Sequence, residues 1–397
     1  MKIQGKYNTA DVFNDHVEAS AMSQIIELLN QEFVQGSSIK IMPDVHAGAG
    51  CVVGTTMTLH GKVVPNLVGV DIGCGVEVRK LCGKPDFKKL DKVILDHVPS
   101  GFNVRSASGM HRLLDKNALA SLKCVHAVDL RRAHRSVGTL GGGNHFIEID
   151  VDSEGKYWLV VHSGSRNLGK QVAEHYQAAA VKQRSQQDYG KQAMVDHLKA
   201  EGRAAEISDA IKALKIPKIP QYLAYLDGDL FRDYLHDMEI VQDYARRNRA
   251  AIIETIDDEM EFAADDHFET VHNYVDLDHM VLRKGAVAAY QDQRLVIPLN
   301  MRDGTLLCRG LGNPDWNFSA PHGAGRAMGR AEAKRRLSMD DFRETMQGVY
   351  STCVDPGTLD EAPGAYKPAE EIQQYIGDTV EVLDRWKPVY NFKAREG

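Results

Sequence analysis

One stretch, N-L-V-G-V-D-I-G-C-G-V-E-V at residues 66–78, constrains the fold of this chain more than any other. Its apolar start at residues 67–70 predicts a buried strand, and its glycines predict a tight turn after that strand. The turn carries Asp71 and Cys74, a hard oxygen ligand and a soft sulfur ligand. A carboxylate and a thiolate on one rigid turn form half of a metal site, so the fold has to bring further ligands to this point.

The composition is that of an ordinary globular protein. Of 397 residues, 43% are hydrophobic and 26% are charged, which suffices for one large domain or for two to three smaller ones. The sequence has no apolar run of membrane-spanning length, and its polar N-terminus is unlike a signal peptide, so we expect a cytoplasmic protein without a membrane partner. The formal net charge of −7 argues against wholesale wrapping of nucleic acid, but it permits a local basic cleft that grips a strand end.

Two further segments offer polar side chains beside glycines. A short predicted strand leads into P-D-V-H, in which Asp44 and His46 alternate and therefore face the same side of an extended chain. The segment G-G-G-N-H-F-I-E delivers Asn144 and His145 from a glycine turn into a strand that holds Glu148. A polar turn and a structural histidine are the alternative interpretations of these two segments.

Three more histidines lie at strand ends or beside glycines. His162 ends a predicted strand, and Arg166 in the loop after it can fork onto a phosphate or pair with a carboxylate. His272 and Asn273 lie in a segment of strand character. His322 lies in S-A-P-H-G-A-G-R, ahead of a basic stretch predicted to be helical. A histidine there serves either as a phosphate contact or as a nucleophile, and spacing alone does not decide between them.

The rest of the chain carries fewer motif residues. Residues 170–262 are predicted to be mostly helical, and we expect them to form a helical insertion over the site. The basic cluster at Arg131, Arg132, His134 and Arg135 is either a solvated face or a binding surface.

The candidate ligands together predict a metal site with one carboxylate, one thiolate and three imidazoles. They are Asp71, Cys74, His145, His162 and His272. This set suffices for two adjacent metals if one residue bridges them, and its mixed ligands permit zinc, manganese or iron. Paired metals suit phosphoryl or nucleotidyl transfer because they stabilise both the attacking and the leaving oxygen. Arginines and glycine amides nearby fit a polyphosphate substrate, so the residues indicate metal-dependent phosphoryl transfer.

Seven motifs occur in an order that is typical of one family. They are G-V-D-I-G-C-G, G-G-G-N-H-F-I-E, H-S-G-S-R, H-N-Y, R-K-G-A, H-G-A-G-R and D-E-A-P-G-A-Y-K. In these motifs the chain resembles the RtcB family of RNA-splicing ligases, from P-D-V-H to the lysine of the C-terminal tail. The resemblance implies a compact α/β (α+β) fold of a single domain over residues 1–397, with the metal and nucleotide site in a central cleft.

The activity implied by the resemblance is that of a ligase that depends on GTP and manganese. Such enzymes join an RNA end bearing a 2′,3′-cyclic phosphate or a 3′-phosphate to a 5′-hydroxyl end. The motif match assigns to His322 the attack on the α-phosphate of GTP, and it makes Asp44 and Arg166 further catalytic residues. The ligands of two Mn²⁺ ions per site would be Asp71, Cys74 as the bridge, His145, His162 and His272.

The resemblance also implies which residues bind the nucleotide. They are Asn144, His145, Phe146, Ile147, Glu148, His272, Asn273, Pro298, Leu299, Asn300, Met301, Thr305, His322, Gly323, Ala324, Gly325, Tyr366 and Lys393. The carboxylate of Glu148 can accept hydrogen bonds from N1–H and the 2-amino group of guanine, a pattern that adenine does not offer. We expect RNA to contact Arg166, Arg283, Lys284 and the face from 326 to 336.

Three departures separate this chain from the family pattern. Leu299 and Asn300 replace a glycine and a serine near the nucleotide, the G-A-G at residues 48–50 lacks a lysine, and the tail runs four residues past Lys393. They indicate a divergent paralogue, for which we hypothesise RNA repair rather than general tRNA splicing. Two alternatives stay open: a dinuclear metal phosphoesterase that opens cyclic phosphates without GTP, and a catalytically lapsed RNA-binding protein. A monomeric chain is compatible with all of these functions.

Overall fold

Helices and strands are interspersed along the chain, and the mixed α/β class predicted from the sequence is confirmed. The computed structural model describes residues 1–188, 190–214, 218–262 and 264–394. The strands are β1 (Lys2–Gln4), β2 (Thr9–Val12), β3 (Ile39–His46), β4 (Val53–Thr58), β5 (Lys62–Val63), β6 (Gly75–Leu81), β7 (Phe146–Val151), β8 (Tyr157–Ser163), β9 (Leu226–Asp227), β10 (Ala264–Val271), β11 (Asn273–Asp276), β12 (Val281–Lys284), β13 (Ala286–Ala288), β14 (Arg294–Asn300), β15 (Gly304–Gly310), β16 (Ser319–Pro321) and β17 (Val380–Lys393). The α-helices are α1 (Ala19–Leu29), α2 (Pro65–Val68), α3 (Phe87–His97), α4 (Lys116–Ala120), α5 (Leu130–Ser136), α6 (Arg166–Ser185), α7 (Lys191–Ala200), α8 (Ile207–Ala213), α9 (Gly228–Met260), α10 (Arg330–Arg336), α11 (Met339–Thr345) and α12 (Ala369–Ile376).

The larger sheet has seven strands in the order β10-β6-β8-β7-β17-β15-β14, and all its neighbours pair antiparallel. Its two edge strands approach each other, since the backbone N–H of Val296 on β14 donates to Thr270 Oγ1 on β10 at 3.2 Å. The sheet therefore curves towards a barrel with an inner and an outer face.

Strand β7 shows how the sequence distributes its side chains between these faces. Because successive side chains alternate, Phe146, Glu148 and Asp150 share one face and Ile147 and Ile149 share the other. The isoleucines belong to an apolar core outside the sheet, whereas Phe146 packs inside it among buried tryptophans. Two carboxylates are thereby carried into the interior of the curved sheet.

The second sheet has six strands in the order β1-β2-β3-β4-β12-β11, in which only β2 and β3 pair parallel. One residue, His272, separates β10 of the larger sheet from β11 of the smaller one. Asp44 lies near the end of β3, and His322 follows β16 directly. The candidate site thus lies where the two sheets meet.

The long helix α9, with 33 residues, runs beneath the larger sheet and packs against β6, β8 and α6. Its middle turns bury Asn248 and Arg249 completely. This part of the helical block therefore supports the strands that lead to the site. None of the described helices combines the length and the apolar character of a membrane span.

The strand predicted over Leu67, Val68 and Val70 is wrong. Leu67 and Val68 instead belong to the short helix α2, which begins at Pro65 because the fixed φ angle of proline suits the first helical position. The helix ends at Gly69 with φ of 102°, and Val70 after it is 48% exposed. The apolar run is too short to distinguish a buried helical turn from a strand by its pattern.

Candidate metal and nucleotide site

Two imidazoles contact the sulfur of Cys74, and a further side chain lies next to each of them. Its Sγ lies 3.4 Å from His145 Nε2 and 3.3 Å from His162 Nε2. On one side, Asp71 Oδ2 lies 3.0 Å from His145 Nε2, and on the other, His272 Nε2 lies 3.4 Å from His162 Nε2. Cys74, His145 and His162 therefore bring three potential ligand atoms within 4.8 Å of one another, with Asp71 beside His145 and His272 beside His162.

Backbone carbonyls orient two of the imidazoles. The Nδ1 of His145 lies 3.0 Å from the carbonyl oxygen of Leu140, and the Nδ1 of His162 lies 3.2 Å from that of Asn144. Since a carbonyl only accepts hydrogen bonds, each Nδ1 carries a proton, and the Nε2 of His162 presents its lone pair towards Cys74. Partners of this kind orient metal-binding histidines in proteins, so this set of donors fits metal ions.

The protonation states of three of these side chains suit metal binding, whereas burial and the charge of Asp71 raise the pKa of the Cys74 thiol well above its ordinary value. Burial and the neighbouring imidazoles lower the pKa of His162 and His272 well below the ordinary value, so both rings are neutral. Burial opposes the ionisation of Asp71, but its hydrogen bond with His145 and the charge of Arg166 outweigh burial and lower its pKa. Neutral imidazoles and an ionised carboxylate are the forms that bind metals.

Arg166 lies behind the Asp71 side of the cluster. Its guanidinium Nη1 lies 3.3 Å from His145 Nδ1, and its Nη2 donates to the carbonyl of Gly101 at 3.4 Å. Gly141 makes room for it: φ there is 88°, and a Cβ would lie 1.8 Å from Arg166 Nη1. The glycine turn before His145 thus fixes both an imidazole and a half-buried positive charge.

His322 forms a close pair with Asp44. The Nδ1–H of His322 donates to Asp44 Oδ2 at 2.6 Å, and its backbone N–H points to the same oxygen at 3.2 Å. Asp44 is fully buried, and Gly325 allows the close approach, because a Cβ there would lie 2.4 Å from the Asp44 carbonyl oxygen. The ring centroid of His322 lies 4.8 Å from that of His272. The pair therefore leaves Nε2 of His322 as the free ring nitrogen beside the metal-ligand cluster.

A cavity of about 560 Å³ opens in front of His322. The predicted nucleotide residues that line it are Asn144, Phe146, Glu148, His272, Pro298, Leu299, Asn300, Met301, His322, Gly323, Ala324, Gly325, Tyr366 and Lys393. His162 and His46, which the sequence left without a role in the nucleotide site, line it as well.

Four of the predicted nucleotide residues are absent from this lining: His145, whose ring contacts Cys74, and three residues whose side chains lie elsewhere. Ile147 points into the apolar core on the outer face of β7, because it alternates with the inward-facing Phe146 and Glu148. Asn273 links two backbone segments: it donates to the carbonyl of Asp71 at 3.2 Å and accepts from the N–H of Gly285 at 2.9 Å. Thr305 is fully buried and lies outside the cavity lining.

Glu148 lines the cavity, and Asp150 is buried on the same face of β7. Glu148 Oε2 accepts from Asn391 Nδ2 at 2.6 Å, whereas neither carboxylate oxygen of Asp150 has a hydrogen-bond partner among the described residues. Burial raises the pKa of Asp150 to about 6. Burial and the adjacent Asp150 charge raise the pKa of Glu148 well above its ordinary value. The pair therefore retains a proton near neutral pH.

A buried acid that sequence reasoning missed, Glu361, organises another wall of the cavity. Its Oε2 lies 2.7 Å from Lys393 Nζ and accepts from the Tyr366 hydroxyl at 2.5 Å. Its Oε1 lies 3.1 Å from Arg326 Nη1 and 2.7 Å from Arg330 Nη1. Burial opposes ionisation, but the charges of Lys393 and Arg330 outweigh it and lower the pKa of Glu361 to about 2. The D-E pair that precedes Tyr366 in its motif was the available signal.

Two residues of α9 brace the loops of the cluster and were also missed. Arg249 donates from Nη1 to the carbonyls of Gly73 at 2.8 Å and Ser163 at 3.1 Å, and its Nη2 pairs with Glu269 at 2.8 Å. Asn248 bonds the neighbouring loops in a similar way. Nothing in the local sequence of a helix 33 residues long distinguishes these two side chains from solvated ones.

Two expected RNA contacts are wrong, because their side chains are buried and already bonded. Arg283 is 0% exposed and donates to Ser319 Oγ at 2.9 Å. Lys284 is 7% exposed and donates to the carbonyl of Asn66 at 2.8 Å. Both residues hold the structure together around the site.

The departures at positions 299 and 300 have structural roles. Leu299 is 3% exposed and joins an apolar core. Asn300 closes the turn between β14 and β15, since its Oδ1 accepts from the N–H groups of Arg302 at 3.0 Å and Asp303 at 2.9 Å. Its amide also donates to the Asp303 carboxylate at 2.8 Å.

Comparison with known proteins decides the family. A family model described as tRNA-splicing ligase RtcB matches residues 24–394. The chain belongs to the RtcB family. It is 30% identical to the RNA-splicing ligase RtcB of Escherichia coli strain K12 over 412 aligned positions, which cover 92% of each chain. The RNA-splicing ligase RtcB2 of another Escherichia coli strain is 28% identical, with 96% of this chain and 94% of that protein covered.

An archaeal member, the tRNA-splicing ligase RtcB of Aeropyrum pernix, is 27% identical over 84% of this chain and 83% of its own. The resemblance drawn from the seven motifs is therefore confirmed for nearly the whole chain.

Proposed function

We propose that this RtcB-family chain joins RNA ends, using GTP and two Mn²⁺ ions. One end bears a 3′-phosphate, or a 2′,3′-cyclic phosphate that is first opened, and the other bears a 5′-hydroxyl. The observation that carries the proposal is the pair formed by His322 and buried Asp44 beside a shared cluster of metal ligands. The names of the relatives, which describe RNA-splicing and tRNA-splicing ligases, support the choice of substrate.

His322 is the proposed nucleophile. Its Nδ1–H is held by Asp44 Oδ2 at 2.6 Å, so the lone pair on Nε2 is available for attack. Attack on the α-phosphorus of GTP forms a P–N bond and breaks the bond to the β-phosphate oxygen, which leaves as pyrophosphate. Asp44 stabilises the positive charge that develops on the imidazole, and GMP remains on His322 as a phosphoramidate.

Two groups of residues would hold the metal ions. Asp71, Cys74 and His145 form the first group, and Cys74, His162 and His272 form the second, with the sulfur shared between them. When bound, the ions supply positive charge that stabilises the phosphate oxygens during transfer.

The cavity in front of His322 is the proposed guanine nucleotide site. An ionised Glu148 accepts from N1–H and the 2-amino group of guanine, and the proton that it gives up can pass to the neighbouring Asp150. Tyr366 and Lys393 belong to the same wall and are held together by Glu361. This wall offers an aromatic side chain and a positive charge to the nucleotide.

The later steps transfer GMP to RNA and then release it. An oxygen of the RNA 3′-phosphate attacks the phosphorus of the adduct, which breaks the P–N bond and frees His322. The 5′-hydroxyl of the second RNA then attacks the RNA 3′-phosphorus, forms the phosphodiester and expels GMP. Arg166, half-buried next to His145, provides fixed positive charge close to this chemistry.

A ligation assay tests the proposal. A labelled RNA with either a 3′-phosphate or a 2′,3′-cyclic phosphate and a partner with a 5′-hydroxyl are incubated with Mn²⁺ and GTP, ATP or no nucleotide, and products are separated on a denaturing gel. We expect joining with GTP only and no joining by His322→Ala. Opening of a cyclic phosphate without GTP and without joining would contradict the proposal and favour the phosphoesterase alternative.

For the biological role we propose RNA repair, because the chain departs from the family pattern at positions 299 and 300. Where that pattern has glycine and serine, Leu299 packs in an apolar core and Asn300 closes a turn. The test compares a nicked structured RNA with split tRNA halves under identical conditions. Sealing of the nicked RNA with little sealing of tRNA halves is the expected result, and equal rates on both would refute a dedicated repair role.

A further inference from the structure

An exposed aromatic side chain stands at the edge of the candidate site. Phe102 is 76% exposed, the highest value among the large hydrophobic residues that the structure describes as exposed. Single exposed apolar residues are common, so exposure alone identifies nothing. The backbone that carries Phe102, its charged surroundings and its place beside the metal-ligand cluster distinguish it from the others.

The backbone on both sides of Phe102 is fixed. The N–H of Asn103 donates to the carbonyl of Ser100 at 3.1 Å, so Phe102 occupies a tight turn. The N–H of Gly101 donates to the carbonyl of Gly141 at 2.8 Å. The turn is therefore rigidly attached to the glycine loop that delivers the ligand histidine.

An arginine anchors the segment after the turn. Arg105 donates from Nε to the carbonyl of Val137 at 3.1 Å, and from Nη2 to the carbonyl of Gly138 and the hydroxyl of Thr255, both at 3.0 Å. These bonds tie the loop of Phe102 to the body of the protein. An aromatic ring held in this way loses little conformational freedom on binding a ligand, because its backbone is already ordered.

The turn lies close to the metal-ligand cluster. The carbonyl of Gly101 accepts from Arg166 Nη2 at 3.4 Å, and Nη1 of the same guanidinium lies 3.3 Å from His145 Nδ1. The Cα of Phe102 follows that of Gly101 at about 3.8 Å. Phe102 therefore directly follows Gly101, which contacts Arg166, and Arg166 in turn contacts the candidate metal ligand His145.

The charge around Phe102 is positive, although the chain as a whole carries −7. Arg132 donates from Nη2 to the carbonyl of Phe102 itself at 2.8 Å. Arg135 donates to the carbonyl of Arg105 at 2.6 Å, and Arg131 on the same helix is exposed. Aromatic rings for stacking beside positive charges for the backbone are the combination with which proteins hold single-stranded nucleic acid.

We propose that Phe102 is a stacking platform for a base of the RNA strand next to the joined ends. This inference rests on the proposed function, because it assumes that the ligand at the cluster is RNA. The basic residues of α5 then face the phosphates that flank the stacked base. The cluster at residues 131–135, which the sequence leaves undecided between a solvated face and a binding surface, is assigned to binding.

Equilibrium binding of RNA tests the proposal without requiring ligation. The probe is a fluorescent single-stranded RNA with a 3′-phosphate, and a second probe carries a 5′-hydroxyl end. Phe102→Ala is expected to weaken binding of the contacted strand roughly 5- to 150-fold, the range measured for the loss of one base–aromatic stack. Phe102→Trp is expected to restore it, and Leu95→Ala, which removes another exposed apolar side chain, serves as the matched control.

An abasic nucleotide identifies the stacked base. At the contacted position, removal of the base is expected to weaken binding to the wild type, and Phe102→Ala is expected to add no further loss. Equal binding of wild type and Phe102→Ala to both intact strands would overturn the proposal, as would the same additional loss at every abasic position. A wild type that binds RNA through Phe102 but never ligates would refute the proposed function and leave this inference standing.

Discussion

Asn248 offers the sharpest test of how α9 supports the site. The side chain is fully buried, and its Oδ1 accepts from the N–H groups of Gly138 at 2.8 Å and Thr139 at 3.0 Å. Its Nδ2 donates to the carbonyls of Thr139 and Gly164, both at 3.1 Å, and to Ser163 Oγ at 3.0 Å. Replacement of Asn248 by leucine keeps a similar side-chain volume but removes all of these hydrogen bonds.

The loss of stability expected for Asn248→Leu can be worked out from the backbone groups that lose their hydrogen-bond partner. Asn248→Leu strands the two N–H groups of residues 138 and 139 and the carbonyl of Gly164 in a buried loop region. Each buried unsatisfied group costs about 1–3 kcal/mol, so we expect the free energy of unfolding to fall by at least about 3 kcal/mol. The same loops lead to His145 and follow His162, so we also expect Mn²⁺ affinity to fall by about 10- to 100-fold.

Urea unfolding followed by circular dichroism measures the first effect, and calorimetric titration with Mn²⁺ measures the second. The control is Arg246→Leu on the same helix, whose side chain is half exposed and whose ion pair with Asp243 is worth at most about 1 kcal/mol. A loss below about 1 kcal/mol for Asn248→Leu, equal to that of the control, would refute the reasoning.

Three further predictions concern the site itself. Asp44→Asn keeps the shape of the side chain but removes the charge that holds His322 Nδ1–H, so formation of the GMP adduct is expected to slow by about 10- to 100-fold. An unchanged rate of labelling of the protein with GMP would show that Asp44 has no part in this step. Burial raises the pKa of Asp150 from 3.8 to about 6, so between these pH values the folded state binds more protons than the unfolded state. The free energy of unfolding therefore falls by about 3 kcal/mol as the pH rises through this range. Asp150→Asn removes this loss, so urea unfolding is expected to show the variant to be more stable than the wild type at pH 7.5 and nearly as stable at pH 4. Equal stability of the two proteins at pH 7.5 would contradict the raised pKa of Asp150. Cys74→Ser is expected to weaken binding of both Mn²⁺ ions, because Sγ is shared by both groups of ligand atoms; calorimetric retention of one site at wild-type affinity would show that the sulfur does not bridge.

Local sequence was sufficient to predict the ligands that come from glycine turns and strand ends. Asp71, Cys74, His145 and His162 each lie within a few residues of a glycine or of a strand boundary, so their neighbours in sequence already describe their setting. The fold then brings them to within hydrogen-bonding or ligand distance of one another. Their common position follows from the pairing of β6, β7 and β8, which the sequence analysis did not predict.

The supporting residues were not predictable, because their roles depend on distant partners. Asn248 and Arg249 act on loops more than 80 residues away in sequence, and in a charged helix they resemble solvated side chains. Glu361 gains its role only when Lys393 and Arg330 fold against it. Arg283 and Lys284 lie in a motif that suggested RNA contacts, yet strand β12 is buried along its whole length and both are used for packing.

The measurement that tests the account most directly is the transfer of GMP to the protein. The wild type is incubated with Mn²⁺ and GTP labelled at the α-phosphate, beside labelled ATP and the His322→Ala variant, and the labelled residue is identified by peptide mapping. The account predicts an acid-labile label that comes from GTP only, resides on His322 and is lost in the variant. A folded, Mn²⁺-binding wild type that acquires no label, or acquires it at another residue, would contradict the account.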